Sequence, residues 1–485
     1  MIRDARRPNL LLKQARGALS QARLAELVNE EILRATGSYG AITAKSISDY
    51  ERGWYTWPGQ HARDALCQVL GASDAAALGF ENRRASEGEP AQLRTPAPKA
   101  MALADLTERN GTGSVGQIDF GQLEVPGGRM FSGLDLEAHY WPAERAGPDR
   151  LAVSSLDDEA TIRPDRRSTV VAVTGAEGEE WYHVADGRQF GQKPLGPDRT
   201  RYLPSANVLD DLTVAILWMI TNTDAALLSD DYALDHYRTN LSHYGELPSS
   251  SLTFGEVPDL HELSARWLGS RFCADHVLRH LNRLTSAPVF WSREQRGEEA
   301  SCWLIWTHKI QFLGAICKAL KHHRRAFCFP EHEVKNSPRY ERIALLLAIA
   351  LMEAFQITVD VTTDPDHAQV EDFVLGGEAI VANWLRAPSV WYVDASAPPS
   401  RRAVYREIAA AAASHSIINQ PTAARRLEAL AGYLNIPWRW FHKRCTELSA
   451  VGAGGIAQPR SRLLSTMGLD LALSYIASLD RNQET

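Results

Sequence analysis

The chain has 485 residues, a formal net charge of −7 and 45% hydrophobic residues. That size leaves room for about three domains with packed cores, which excludes a disordered factor, and an acidic total excludes a protein built only to coat nucleic acid. Cys67, Cys273, Cys302, Cys317, Cys328 and Cys445 form no C-x-x-C pair, which argues against zinc ribbons and a disulfide framework and fits a reducing cytoplasm.

Leu10-Leu11-Leu12 is followed at once by Lys13, so no apolar run of signal-peptide length opens the chain. Arg3, Arg6, Arg7, Lys13, Arg16 and Arg23 stand against Asp4 alone, so the first segment is locally basic on an acidic protein. Such a potential acts locally, because salt screens surface charges beyond about 10 Å.

Ser20-Gln21 opens a helix through Ala22, Arg23, Leu24, Ala25, Glu26, Leu27 and Val28. The spacing of Leu24, Val28, Ile32 and Ala35 lets it run on, with Gly37, Tyr39 and Gly40 in the connection that follows. Thr43 to Gly53 reads as a second, short helix: Thr43 accepts first-turn amides and Gly53 takes the left-handed conformation that ends a helix. Ile47, Tyr50 and Glu51 face inward, while Lys45, Ser46, Ser48, Asp49 and Arg52 face outward. Groups of that kind suit a groove: hydroxyls bond phosphates or base edges, Lys reads guanine acceptors, and Asp accepts from the cytosine amine. The pair has the grammar of a helix-turn-helix; the alternative is a small protein-interaction bundle.

The pattern T-x-x-S-I-x-x-x-E-x-G formed by Thr43, Ser46, Ile47, Glu51 and Gly53, with Ser20-Gln21 before it and Trp57-Pro58 after it, resembles the phage-repressor-like (XRE) helix-turn-helix family over residues 8–80. The long connection Asn29 to Ile42 departs from that family's usual tight turn and is similar to long-turn regulators of actinobacteria. The departure bears on the angle between the two helices, not on their existence. The resemblance implies an all-α, five-helix domain over residues 1–81 whose third helix enters the major groove of double-stranded DNA. By position it implies Gln21 as the anchor on backbone or base, Ala44, Lys45 and Asp49 as the base-facing set, and Arg52 with Tyr55 as phosphate contacts. Arg23, Thr43, Ser46 and Ser48 complete the expected interface.

Residues 82–106 read as a Pro/Ala-rich linker, semi-extended at Pro90, Pro96 and Pro98. Residues 107–205 read as a β-rich domain of about five to eight strands, with period-two runs at Gln117–Val125, Met130–Trp141, Thr169–Thr174 and Glu180–Ala185. Gly111, Gly113 and Gly116 have the spacing of a dinucleotide loop, but a strand follows them where a helix is required. Asp157, Asp158 and Glu159 form a solvated acidic turn.

Residues 206–335 read as a helical domain, with apolar stripes at Asp210–Leu228, Leu260–Leu284 and Glu299–Leu320. Lys318, Lys321, His322, His323, Arg324 and Arg325 read as cations that complement a helix C-terminus, or as a second nucleic-acid patch, with no third ligand spaced for a metal. Residues 336–485 read as α/β and then helical: a helix Tyr340–Phe355, a four-strand antiparallel meander (Ile357–Val361, Asp372–Leu375, Glu378–Trp384, Val390–Asp394), and helices from Arg401 to Leu479 interrupted at Pro437, Gly452, Gly454 and Gly455. Asp364 and Asp366 read as turn residues. The longest apolar stretch, Ile343–Met352, is shorter than the ~18 residues of a membrane span, so a soluble protein with no membrane partner is expected.

No G-x-S-x-G, H-E-x-x-H or G-K-[ST] pattern occurs, so no catalytic residue, metal or cofactor is expected. The run Arg293-Glu294-Gln295-Arg296-Gly297-Glu298-Glu299 makes intrahelical ion pairs or rims an aromatic cavity. The chain has 13 tryptophans, and Trp291, Trp303, Trp306, Trp384 and Trp391 are the residues expected to line a pocket for a small hydrophobic or aromatic effector; partner contact or oligomerisation is the other account of them. The expected protein is thus a multidomain α+β regulator of transcription in the cytoplasm, associated with the nucleoid. It should be a homodimer on an inverted repeat, since one such module buries too little surface for tight specific binding. The alternatives are an enzyme or defence effector with an autoregulatory DNA-binding head, and a protein-interaction scaffold.

Overall fold

The computed structural model describes residues 8–36, 42–53, 58–80, 101–109, 121–153, 167–176, 179–192, 200–242, 247–253, 260–284, 287–377, 379–385, 390–395 and 397–479. The chain divides into two compact units, Met1–Ala97 and Pro98–Thr485.

Polar caps and left-handed stops set the helices of the first unit. Asn9 caps Leu10–Arg16, the Ser20 hydroxyl accepts from the Arg23 amide at the start of Gln21–Thr36, and Thr43 and Ser46 form a reciprocal capping box on Ala44–Glu51. Gln60–Leu70 ends on Gly71 at φ 65°. Leu12, Leu24, Val28, Ile47 and Leu66 are fully buried together with Phe80, each such aliphatic contributing about 1.5–3 kcal/mol by leaving water. Residues 37–41 of the long connection lie outside the described residues, but its two flanks are tied: the buried Asn29 amide donates to Ile42 O (2.8 Å) and accepts from Ile42 N (2.9 Å).

The five-helix expectation is corrected to four helices among the described residues. After Gly71 the chain forms turns: Asp74 accepts from the Ala77 amide (2.8 Å), Phe80 N bonds Ala75 O (3.0 Å), and Gly79 at φ 73° reverses the backbone before a second helical turn forms.

Among the described residues the second unit holds two seven-stranded sheets. The first runs Met101–Ala102, Gln122–Val125, Leu134–Arg145, Arg150–Val153, Arg201–Pro204, with Ser168–Ala176 beside Leu134–Arg145 and Glu179–Asp186 beyond it. The expected linker therefore ends earlier than residue 106. Met101 belongs to a strand and Leu103–Arg109 is a helix, because Met101, Leu103 and Leu106 are buried in the main core. Gly111, Gly113, Gly116, Asp157, Asp158 and Glu159 lie outside the described residues.

The second sheet corrects both the helical domain and the meander. Its order is Thr358–Thr362, Arg324–Cys328, Val289–Ser292, Phe373–Leu375, Ala379–Leu385, Val390–Asp394, Ser249–Thr253. The first three strands are parallel and joined by helical crossovers, and the rest pair antiparallel. Thr358–Thr362 thus leaves the expected meander to join Arg324–Cys328. Three strands of this sheet lie inside the interval 206–335: two of them, Val289–Ser292 and Arg324–Cys328, are almost wholly buried and lack the period-two alternation that marks a half-exposed strand, and the third, Ser249–Thr253, is a short strand at the sheet's edge. One core extends from Met101 to Leu479, so the expected boundaries at 205/206 and 335/336 fall within a single unit.

Two helices, Asp211–Ser229 and Arg339–Ala354, cross this core. Asp211–Ser229 has 19 residues and a mean hydropathy of 1.4, enough by length and composition to span a bilayer, and 83% of its apolar window is buried inside the protein. Gly297 begins the helix Gly297–Ile305 against Arg339–Ala354, where a Cβ would stand 2.1 Å from the Glu341 carbonyl oxygen. Gly297→Ala is therefore expected to cost about 1–3 kcal/mol, seen as a lower urea midpoint for the second unit at unchanged slope.

Candidate functional site

Among the described residues, two places that combine polar chemistry with access bear on function. The first is the helix Ala44–Glu51. Ile47, Tyr50 and Glu51 are buried, whereas Lys45 and Arg52 are exposed and Ser48 and Asp49 half-buried. Glu51 fixes the inner side: Arg16 Nε meets its Oε1 at 2.5 Å and the Gln21 amide donates to its Oε2 at 2.8 Å. Burial alone would raise the Glu51 carboxyl, and these hydrogen bonds outweigh it, holding the group below the ordinary carboxylate range.

Several of the expected contact residues have partners within the unit. Gln21 has an amide N–H committed to Glu51. The Thr43 and Ser46 hydroxyls bond each other's amides in the capping box and so serve the helix first. Arg23 pairs with Glu26 at 2.9 Å on the exposed side of Gln21–Thr36. Ala44 is half-buried in the first turn, beside Lys45. Tyr55 and Trp57 lie outside the described residues.

The second place is a cavity of about 170 Å³ in the second unit. It covers one face of the second sheet, from Phe290, Arg325 and Val374, which sit side by side on three strands, to Glu294 beyond the end of Val289–Ser292. Here the parallel half of the sheet meets the antiparallel half, the kind of switch point at which α/β sheets open a crevice. Trp303, Trp306, Lys309 and Phe312 close it from the helices Gly297–Ile305 and Thr307–Ala319 and the link between them.

Cations meet aromatic rings inside it. The Arg325 guanidinium lies 4.3 Å from the Trp303 ring centre and 5.2 Å from that of Phe290, and Lys309 Nζ lies 3.8 Å from the Trp303 ring. Arg325 is only 3% exposed, donates to Ser292 Oγ at 2.7 Å, and is pushed down to about 10 by burial, so it remains charged at neutral pH. Opposite charge borders the same space: burial and the neighbouring Glu294 raise the Asp372 carboxyl, which accepts from the Arg293 amide at 2.8 Å.

The loop Gly127–Gly133 forms part of the wall through Met130. The Glu298 carboxylate holds that loop, accepting from the amides of Arg129 (3.1 Å), Met130 (3.0 Å) and Phe131 (3.2 Å). Burial raises Glu298 to about 7.

Ser270 Oγ lies 3.0 Å from His308 Nε2 at the cavity, but His308 Nδ1 has no partner to orient it, and burial with the charge of Lys309 keeps its imidazole neutral. Burial pushes the Cys273 and Cys302 thiols up to about 12, leaving them protonated and poor nucleophiles. Among the described residues no group of His, Cys, Asp and Glu is arranged to hold a metal.

Of the five tryptophans expected to line a pocket, Trp291, Trp303 and Trp306 border this cavity. Trp291 also stacks on Phe373 (5.9 Å), which in turn stacks on Tyr405 (4.2 Å), in a smaller separate core. The side chains of Trp384 and Trp391 lie outside the described residues, although their backbones pair in the outer strands. The charged run 293–299 lies partly at the cavity, and Arg296 makes a tertiary ion pair with Glu341 (2.6 Å), not an intrahelical one, since the helix starts only at Gly297.

Sequence reasoning missed Arg325, Lys309 and Asp372. Arg324 and Arg325 are corrected from helix-terminal cations to the start of a strand; the helix ends at Ala319, and Arg324 pairs with Asp360 at 2.6 Å. The run Ala326-Phe327-Cys328-Phe329 that follows is the signal that identifies a buried strand. Asp364 does cap its turn, accepting from the Asp366 amide at 2.9 Å. No family model, curated protein or solved structure matches the chain.

Proposed function

We propose that the protein is a sequence-specific regulator of transcription that binds double-stranded DNA through the helix Ala44–Glu51, as a homodimer on an inverted repeat, with the second unit taking a small effector. The observation that carries this reading is the division of that helix: one side is locked by Ile47, Tyr50 and the Arg16–Glu51–Gln21 bonds, while Lys45 and Arg52 stand exposed on the other. A rigid inner side with short polar and cationic groups outside is what reading base edges in a groove requires.

Lys45→Ala is expected to weaken binding to a selected duplex by about 1–3 kcal/mol and to relax preference at one guanine. Selection of duplexes from a random pool, followed by titration of both proteins, reads this; unchanged affinity and preference would reject the assignment of the helix. Binding by wild type should also weaken with salt, as phosphate contacts release counterions. An interaction scaffold would show no such duplex binding. The enzyme reading has the Ser270–His308 bond in its favour, and it predicts labelling of Ser270 by a serine-directed fluorophosphonate, where the regulator reading predicts none.

A further inference from the structure

The cavity presents both signs of charge to one small space, with Arg266, Arg293, Glu298 and Glu299 also in its lining. Arg325 and Lys309 border it as cations, Glu294 and Asp372 as acids. Glu294 and Asp372 act on the Arg325 guanidinium, and Lys309 acts on the Asp372 carboxyl, yet no ion pair joins Arg325 or Lys309 to Glu294 or Asp372. Glu294 Oε2 and Arg325 Nε are buried without a hydrogen-bond partner, as are the indole N–H groups of Trp303 and Trp306, which are 3% and 4% exposed. Buried charges and donors left in this condition cost free energy that a matching ligand offsets.

We propose that this cavity binds a zwitterionic molecule with a single aromatic ring, of the aromatic amino-acid class, its carboxylate held by Arg325 and Lys309 and its ammonium by Glu294 and Asp372. A ligand of one charge leaves the other pair buried and unmatched; a zwitterion satisfies both. The size agrees for the ring, since about 150 Å³ of apolar cavity accepts a benzene ring and this one, which is not fully enclosed, has about 170 Å³. The aromatic walls, Phe290, Trp303 and Phe312, supply the contact for the ring. The inference rests on the effector reading only for its regulatory consequence, because binding itself is independent of DNA.

Calorimetric titration of the full chain without DNA, using L-phenylalanine, 3-phenylpropionate and 2-phenylethylamine, separates the possibilities, as the three share a ring and differ in charge. Phenylalanine is expected to bind at least about tenfold tighter than either singly charged probe, a difference of about 1.4 kcal/mol. Glu294→Gln should remove most of the advantage over phenylpropionate, and Lys309→Met should weaken phenylalanine and phenylpropionate together. Equal or tighter binding of either single-charge probe, no binding of any of the three at millimolar concentration, or an unchanged ratio in Glu294→Gln would overturn the proposal. Such a failure leaves the Lys45→Ala result standing, and a failure of duplex binding leaves this titration standing.

Discussion

Glu51→Ala is expected to unfold the first unit and abolish duplex binding with it. Glu51 is 8% exposed and accepts from Arg16 and from Gln21, side chains that begin from two other parts of the unit. Its removal leaves the Arg16 guanidinium, itself largely covered, without a counter-charge, and breaking such a pair costs about 3–5 kcal/mol. That is comparable to the whole stability of a small unit. Glu51→Gln keeps one acceptor and should fall between the variant and wild type. A full-chain denaturation curve checks this, and a first-unit transition of wild-type midpoint in Glu51→Ala would contradict it. The sign with pH follows from the same bonds. The folded carboxyl lies below its ordinary value, so its stabilisation is complete above the unfolded pKa and is lost as pH falls through the carboxylate range.

Glu298→Ala is expected to loosen the loop Gly127–Gly133 and lower the stability of the second unit by about 3 kcal/mol or more, since three amides lose their acceptor and each buried unsatisfied group costs about 1–3 kcal/mol. The loop carries Met130 in the cavity wall and Phe131 against Trp218 at 4.6 Å. Faster amide exchange at Arg129, Met130 and Phe131, with a lower urea midpoint, would be the readout; native exchange at all three would contradict it. Here the pH dependence runs the other way. Burial holds Glu298 near 7, above its unfolded value, so its contribution is greatest in acid and declines as pH rises from the carboxylate range to neutrality.

What was legible in the sequence was local. Thr43 and Gly53 mark a short helix because a cap and a left-handed residue act within one turn, and the structure places Ala44–Glu51 between them. The alternation within Leu134–Arg145 identified a strand because one face of that strand is only partly covered. By contrast, Val289–Ser292 and Arg324–Cys328 are too short and too buried to alternate, so helical stripes on either side absorbed them. Arg325 is instructive: a cation in a basic run reads as solvated, and only the packing of Phe290 and Trp303 around it shows otherwise.

The amino-acid order by itself determined the capped helices of the first unit, the strand-rich stretch that follows and the aromatic character of the later half, because each depends on neighbours a few residues apart. Only the tertiary structure decided that residues 98–485 form one compact unit, that Thr358–Thr362 pairs in parallel with Arg324–Cys328, and that Arg325, Lys309, Glu294 and Asp372 line one cavity. Those pairings join residues far apart in the chain, and burial and long-range charge, which no local spacing encodes, select them.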